Sequence, residues 1–320
     1  MNADRRGALT TSRSHAQGAG RGLSRREVLL AILASALSGT RASGGTDSQA
    51  LQKRLQQLET DSGGRLGVAM LRVGTEEWLS HRGDERFALC STFKLPLAAL
   101  VLRESELGLL KLDTLVEYGE ADMVPYAPVT KEHLAEGGMT VGALAEAAQK
   151  TSDNVAANLL LRLLGGPEGF TQRLRSLGDD VTRLDRFEPE MNLVPPGEVR
   201  DTTTPMAMAR TVARFVSGPV LSPESGQRLR NWMEETRTGL RRLRAGLPSD
   251  VSAGDKTGTG IAPGMANKYN DVAVVWPRQQ SPVVIAAYFE ADGEYANIRP
   301  QDEAVLKEVG AIAADWSPLG

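Results

Sequence analysis

Strand signals lie towards the two ends of this chain, and helical periodicity fills the stretch between them. Arg65-Leu-Gly-Val-Ala-Met-Leu-Arg-Val73 alternates as a strand does, and Glu77–Ser80 follows as its hairpin partner. Near the other end, Val251–Thr259, Asp271–Trp276 and Pro282–Glu290 are short β-rich runs split by turns. Between them, Phe93, Leu97, Leu100 and Val101 recur at helical spacing, and 141–149, 155–164, 206–215 and 224–233 read as further helices. Asp47–Glu59 and Gln301–Trp316 are amphipathic helices outside the strands, the latter with Val305, Val309 and Ile312 on one face. Such strands share a core only if the chain ends meet in one sheet. The expected fold is therefore α/β of the α+β type. An antiparallel five-stranded sheet from both chain ends is flanked by helices, and a mostly helical domain is inserted. A cleft is expected where the sheet edge meets the helical part.

Residues 1–27 are polar and rich in Gly, Ser and Arg, and Arg25-Arg26 precede an apolar run from Val28 to Leu37. That run is too short to span a bilayer, which takes ~20 residues. A basic stretch before a short apolar segment reads as a secretory signal, and paired arginines point to the twin-arginine route. Thr40-Arg41-Ala42 and Ala34-Ser35-Ala36 both offer small-residue cleavage sites. Residues 1–42 are expected to be a signal peptide. The body, 43–320, is expected to act outside the cytoplasm as a monomer, with an α/β part at 43–90 and 237–320 and a helical part at 91–236.

Charge narrows the partners. The 37 basic and 40 acidic residues leave a net charge of −3, and seven of the arginines lie in the first 44 residues. The acidic remainder suits neither nucleic acid nor an anionic membrane. One cysteine, Cys90, allows no internal disulfide, and its expected role is a small buried side chain. His15, His81 and His133 form no metal-binding spacing, so no metal is expected and any proton transfer falls to Lys or a carboxylate.

Three short motifs follow one another. In Ser91-Thr-Phe-Lys94, at an expected helix start, a spacing of three puts Ser91 and Lys94 on one face. The helix N-terminus would favour developing negative charge on Ser91 and disfavour the ammonium of Lys94. Ser152-Asp153-Asn154 falls between two helices, where each residue type also serves as a cap. Lys256-Thr257-Gly258, followed by Thr259, falls on a strand, where Gly258 would let a ligand approach the backbone. Each motif alone is weak, but in this order they are the signature of class A β-lactamases and penicillin-binding proteins. Between the second and third lies an aperiodic stretch, 183–200, containing Arg186-Phe-Glu188-Pro-Glu-Met-Asn192 and leading to Asp201. It resembles the Ω-loop of class A β-lactamases. The resemblance runs over about residues 47 to 316 and includes Tyr126-Ala-Pro-Val-Thr130.

This resemblance implies an enzyme that hydrolyses the β-lactam amide through a serine acyl-enzyme, confers antibiotic resistance and needs no cofactor. It implies Ser91 as nucleophile, with Lys94 as its partner in proton transfer. Glu188 and Asn192 would hold and activate the hydrolytic water, and Ser152, assisted by Lys256, would shuttle a proton to the lactam nitrogen. Asn154 would contact the substrate side-chain amide, and Tyr126 would wall the cleft entrance. Lys256, Thr257, Gly258 and Thr259 would bind substrate, with the N–H groups of Ser91 and Thr259 as the oxyanion hole. Arg186 and Asp201 would pair across the neck of the loop, and the Glu188–Pro189 bond would be cis. Two other readings share the acylating parts: a D,D-peptidase or transpeptidase, and a penicillin-binding sensor that stays acylated. Neither needs Glu188 and Asn192.

The chain also departs from the family. Ile261–Tyr269, before Asn270-Asp271, is longer than usual, and Tyr269 stands where many relatives carry an arginine for the substrate carboxylate. Some relatives supply that guanidinium from the segment before the Lys256 motif, which points to Arg242. Arg242 also sits in Arg241-Arg242-Leu243-Arg244, and such charge runs are usually solvated. Some carbapenem-hydrolysing relatives bridge the cysteine before the nucleophile to one near Gly260, a partner that Cys90 lacks.

Overall fold

The computed structural model of the protein describes residues 43–317, so the basic leader, its paired arginines and the cleavage sites lie outside the described residues. Helix α1 (Ser43–Ser62) leads into strands β1 (Arg65–Arg72) and β2 (Trp78–His81). After the short β3 (Phe87–Ala88), a 3₁₀ turn (Cys90–Phe93) opens helix α2 (Lys94–Glu106). There follow β4 (Leu115–Glu117), β5 (Gly138–Thr140), α3 (Val141–Thr151), α4 (Asn154–Leu163) and α5 (Gly166–Ser176). Then come β6 (Thr202–Thr203), α6 (Pro205–Ser217), α7 (Pro223–Glu234) and strands β7 (Ser252–Gly260), β8 (Lys268–Trp276) and β9 (Val283–Glu290), before α8 (Pro300–Trp316).

The two chain ends do meet in one sheet. Its order is β2-β1-β9-β8-β7, antiparallel throughout, and β1 pairs with β9 from Arg65↔Glu290 to Arg72↔Val283. Side chains alternate across a strand, and here both faces are buried. Leu66, Val68 and Met70 face α1 and α8, in one core with Leu55, Val309 and Ile312. Ala69 and Leu71, with Val272, Val274 and Tyr288 of the neighbouring strands, face the helical core. Helix α2 runs through that core with Leu95, Leu97, Ala98, Ala99, Leu100, Val101 and Leu102 all buried, as expected of a helix apolar all round.

The expected strands and helices all appear, with shifted boundaries. The difference lies at 107–140, where the helical middle gives way to loops, 3₁₀ turns and the β4–β5 pair. Thr140 caps α3 by accepting from the Ala143 N–H, and the helix ends on Ser152 in a left-handed conformation, φ 62°. One residue later, Asp153 caps α4 through the Ala156 N–H. This sharp corner brings Ser152 and Asn154 to the helical domain's edge, facing β7.

Candidate active site

Ser91 and Lys94 are placed by the 3₁₀ turn rather than by the first turn of an α-helix. In a 3₁₀ turn residues i and i+3 eclipse, so the two side chains are stacked on one side. Lys94 Nζ donates to Ser91 Oγ at 2.9 Å, and Lys94 is wholly buried. Its ammonium is held below its ordinary pKa, and the main cause is burial, opposed by Glu188. The helix N-terminus is thus not the leading cause. Nζ also donates to the Ser152 carbonyl at 2.9 Å and to Asn154 Oδ1, and lies 3.0 Å from Glu188 Oε1 and 3.5 Å from Ser152 Oγ. Acceptors outnumber the three donors of an ammonium, so these contacts are not all made at once.

The aperiodic loop delivers Glu188 to the same point. Ser91 Oγ lies 3.3 Å from Glu188 Oε1, which brings two candidate bases, Lys94 and Glu188, within reach of the hydroxyl. Asn192 Nδ2 donates to Glu188 Oε2 at 2.6 Å, and a 3₁₀ turn over Glu190–Asn192 turns both side chains the same way. Asn192 Oδ1 is buried with no protein partner among the described residues. The loop is closed at its neck by Arg186 Nε on Asp201 Oδ2 at 2.6 Å, while Asp201 Oδ1 accepts from the Asp185 and Arg186 N–H groups. Asp201 is fully buried, and removing a partner from such a pair costs ~3–5 kcal/mol. The Glu188–Pro189 bond is cis.

The Ser152-Asp153-Asn154 motif divides its labour. Asp153 is structural: besides capping α4 it accepts from the Val129 and Thr130 N–H groups at 2.9 Å. This ties down the segment carrying Tyr126, which is 60% exposed at the cleft mouth with φ 63°. Ser152 Oγ accepts from Lys256 Nζ at 3.0 Å, linking the helical domain to the sheet. Burial, reinforced by repulsion from Lys94, lowers the pKa of Lys256 to about 7.

At Gly258 another segment of the chain approaches the strand closely. A Cβ there would stand 3.0 Å from Cys90 Cβ and the Leu89 carbonyl, and 3.1 Å from the Ser91 N. The bare position accommodates the segment that bears Ser91 against β7. Cys90 is buried as expected, and burial pushes its thiol up to about 12.

Arg242 is not a solvated member of its run. It is buried, whereas the side chain of neighbouring Arg241 is 75% exposed. Its guanidinium donates to Thr259 Oγ1 at 2.7 Å and to the Gly258 and Asn270 carbonyls at 2.9 Å. Tyr269 is fully buried and its hydroxyl accepts from the Arg299 N–H, so it does not stand in for an arginine at the cleft. Lys268 and Tyr269 belong to β8, leaving 261–267 as the extended connection.

The cleft between these elements has a volume of about 470 Å³. It is lined by Ser91, Tyr126, Ser152, Asn154, Glu188, Asn192, Arg242, Thr257 and Thr259, with Lys94, Lys256 and Gly258 beneath the surface. Arg186 and Asp201 lie outside the lining and hold the loop. A wall of this shape, with a serine between two bases, a second serine bridged by two lysines and a guanidinium beside a strand edge, matches a family of known sequence. The β-lactamase enzyme family model covers residues 50–317. The chain belongs to the class A β-lactamases.

Among curated class A relatives, β-lactamase AST-1 of Nocardia asteroides is 44% identical over 84% of each chain. A carbapenem-hydrolysing β-lactamase KPC of Klebsiella oxytoca is 43% identical over 92% of this chain and 97% of its own. The solved structure of an ancestral class A β-lactamase, reconstructed for the last common ancestor of Gram-negative bacteria, superposes with a TM-score of 0.78 at 49% identity. It covers 83% of this chain and 99% of its own. A β-lactamase of Xanthomonas campestris gives the same score at 42% identity, over 84% and 98% of the two chains.

Three residues that contact and support this site escaped the motifs. Asn158 Oδ1 accepts from the Glu188 N–H at 2.9 Å, and its Nδ2 donates to the Glu188 carbonyl at 2.8 Å. It lies four residues after Asn154 on α4, a spacing that could have flagged it. Thr238 Oγ1 sits 2.7 Å from Thr257 Oγ1. Glu303 Oε1 accepts from Arg242 Nε at 3.3 Å and its Oε2 from Arg241 Nε at 2.8 Å. The last two contacts are long-range, and no local pattern marks them.

Proposed function

We propose that this β-lactamase opens the lactam ring by attack of Ser91 Oγ on the carbonyl carbon. The hydroxyl proton passes to Lys94 or Glu188, both within hydrogen-bond reach. The carbonyl oxygen takes the negative charge between the N–H groups of Ser91 and Thr259, where each donor contributes ~2.7–4 kcal/mol. Ser152, fed by Lys94 and Lys256, gives a proton to the lactam nitrogen as the C–N bond breaks, leaving an ester on Ser91. A water then donates one hydrogen bond to Glu188 and another to the unpartnered Asn192 Oδ1. Its lone pair attacks the ester carbonyl, Glu188 takes its proton, and Ser91 Oγ leaves with a proton returned to it.

The observation that carries this reading is the Glu188–Asn192 pair at 2.6 Å, facing Ser91. A peptidase or an acylated sensor has no use for it. Lys256, Thr257, Thr259 and Arg242 bind the substrate carboxylate, Asn154 the side-chain amide, and Tyr126 covers the entrance. The deciding experiment is Ser91→Ala. It is expected to abolish covalent labelling by penicillin with the fold intact, and activity within tenfold of the parent would overturn the nucleophile assignment.

Residues 1–42 serve in this reading as a twin-arginine signal, and 43–320 as a monomeric, exported catalytic body. Among the described residues no helix is long and apolar enough to cross a membrane. Replacing Arg25 and Arg26 with lysine is expected to block processing, and unchanged processing would indicate the general secretory route.

A further inference from the structure

A second cavity, of about 380 Å³, shares no lining residue with the catalytic cleft. One wall is the outer limb of the Ω-loop, from Val194 to Val199. Another is Met265 and Ala266 of the lengthened segment between β7 and β8, with Lys268 at the start of β8. That segment is firmly held. Asn267 Nδ2 donates to the Tyr295 carbonyl at 2.9 Å, and its Oδ1 accepts from the Tyr295 N–H at 3.1 Å. One wall of the cavity is therefore built by the feature in which this chain departs from its family.

The charges on the cavity do not balance. Of its two carboxylates, Glu290 is engaged by Arg65 Nε at 2.8 Å and Glu198 by Arg200 at 2.6 Å. Arg86 and Lys268 have no ion-pair partner among the described residues. Arg86 Nη1 donates only to neutral acceptors, the Val181 carbonyl at 3.1 Å and Thr202 Oγ1 at 2.9 Å. Lys268 is 4% exposed, and its ammonium finds only the Ala266 carbonyl at 3.4 Å and Met265 Sδ at 4.0 Å. Lys268 stands directly across the ladder from Glu290, but that carboxylate is committed to Arg65. A buried cation with weak, neutral partners is costly unless an anion reaches it. Burial and the nearby Arg183 and Arg175 disfavour the charge on Arg86, an effect that the more weakly acting Asp179 and Asp185 offset only in part. Beside Arg65 and Thr202, the rest of the lining, including Ala88, Val194, Pro195, Pro196 and Met265, is mostly apolar.

We propose that this cavity is a binding site for a small organic anion. Its carboxylate is drawn to Lys268 and Arg86, and its compact apolar body covers Val194, Pro195 and Met265. A free inorganic oxyanion would meet the charge but leave those apolar walls uncovered. The volume falls at the small end of ligand pockets, ~300–1,000 Å³, which suits one ring with one charge.

The test is a titration of the purified protein with benzoate, and in parallel with inorganic phosphate, followed by backbone amide shifts. Saturable shifts are expected at Val199, Ala266 and Lys268, at lower benzoate than phosphate concentration. Lys268→Met is expected to weaken benzoate at least tenfold while β-lactam turnover stays at the parental level, and Lys268→Arg should retain binding. Val199 is 47% exposed, so Val199→Glu puts a negative charge at the rim without disturbing the core and is expected to weaken benzoate as well. Shifts confined to the catalytic cleft, absence of saturation, or affinity unchanged in both weakening variants would overturn the site. Phosphate binding as tightly as benzoate would overturn the organic ligand and leave a site that reads charge alone.

Discussion

Lys256 Nζ donates a 3.0 Å hydrogen bond to Ser152 Oγ, joining a strand of the sheet to the corner between two helices. Both groups are buried, and Lys256 titrates at about 7. The charged form attracts a substrate carboxylate, and the neutral form does not. In the free enzyme kcat/KM is therefore expected to fall as pH rises above about 7, and a penicillin methyl ester, which lacks the carboxylate but still needs the proton passed through Ser152, should show a shallower fall. A flat pH profile from 6 to 9 with the carboxylate substrate would remove Lys256 from this role.

The same burial has a stability consequence. The folded-state pKa of Lys256 lies below its ordinary 10.5, so the unfolded chain binds the extra proton between about 7 and 10.5. The cost of burying the lysine is full below pH 7 and fades as pH rises through that window. Lys256→Met is expected to abolish turnover and to raise Tm relative to the parent most strongly below pH 7. An equal or smaller gain at low pH than at pH 10 would contradict the assignment.

Glu188 is the base proposed for deacylation. A general base typically contributes ~10²–10⁴-fold. Glu188→Ala is expected to react with penicillin and then accumulate the ester on Ser91, seen by mass spectrometry as a gain of one substrate. Clearance at the parental rate would show that another group is the base.

Asn158 acts through Glu188 by holding its backbone at both N–H and carbonyl. Asn158→Ala should slow deacylation more than acylation, giving partial accumulation of the acyl-enzyme. Equal slowing of both steps would mean a general loss of packing instead.

Arg242 touches the strand edge at Thr259 Oγ1. Arg242→Ala is expected to raise KM by about tenfold, the worth of ~1.4 kcal/mol of lost binding, with less change in kcat. A fall in kcat at constant KM would place its effect in the transition state alone.

Gly258 carries the last test. With a Cβ 3.0 Å from Cys90 Cβ and the Leu89 carbonyl, Gly258→Ala pushes on the segment that bears Ser91. Contacts of 3.0–3.1 Å are relieved by a shift of a few tenths of an ångström, short of the ~1 Å misplacement that costs roughly 10²-fold in rate. A fall in kcat smaller than that, with substrate affinity preserved, is the expected result, and parental kcat would show that the segment yields freely.

Much of this was readable from residues alone, and for local reasons. Period-two alternation in 65–73, β-rich composition in 282–290 and helical spacing from Phe93 to Val101 are properties of consecutive side chains, so strand and helix assignments followed. Ser91–Lys94, Ser152–Asn154 and Glu188–Asn192 are each close in sequence, and one turn of backbone settles their mutual reach. What only the tertiary structure decided involves partners far apart in the chain. Whether Arg242 faced solvent or cleft depended on Thr259, Asn270 and Glu303. The purpose of Gly258 depended on Cys90 packing against it. The low pKa of Lys94 came from complete burial, which no helix-end argument supplies. Periodicity and motif spacing act over a few residues, whereas burial and charge pairing are set by whatever the fold brings within a few ångströms.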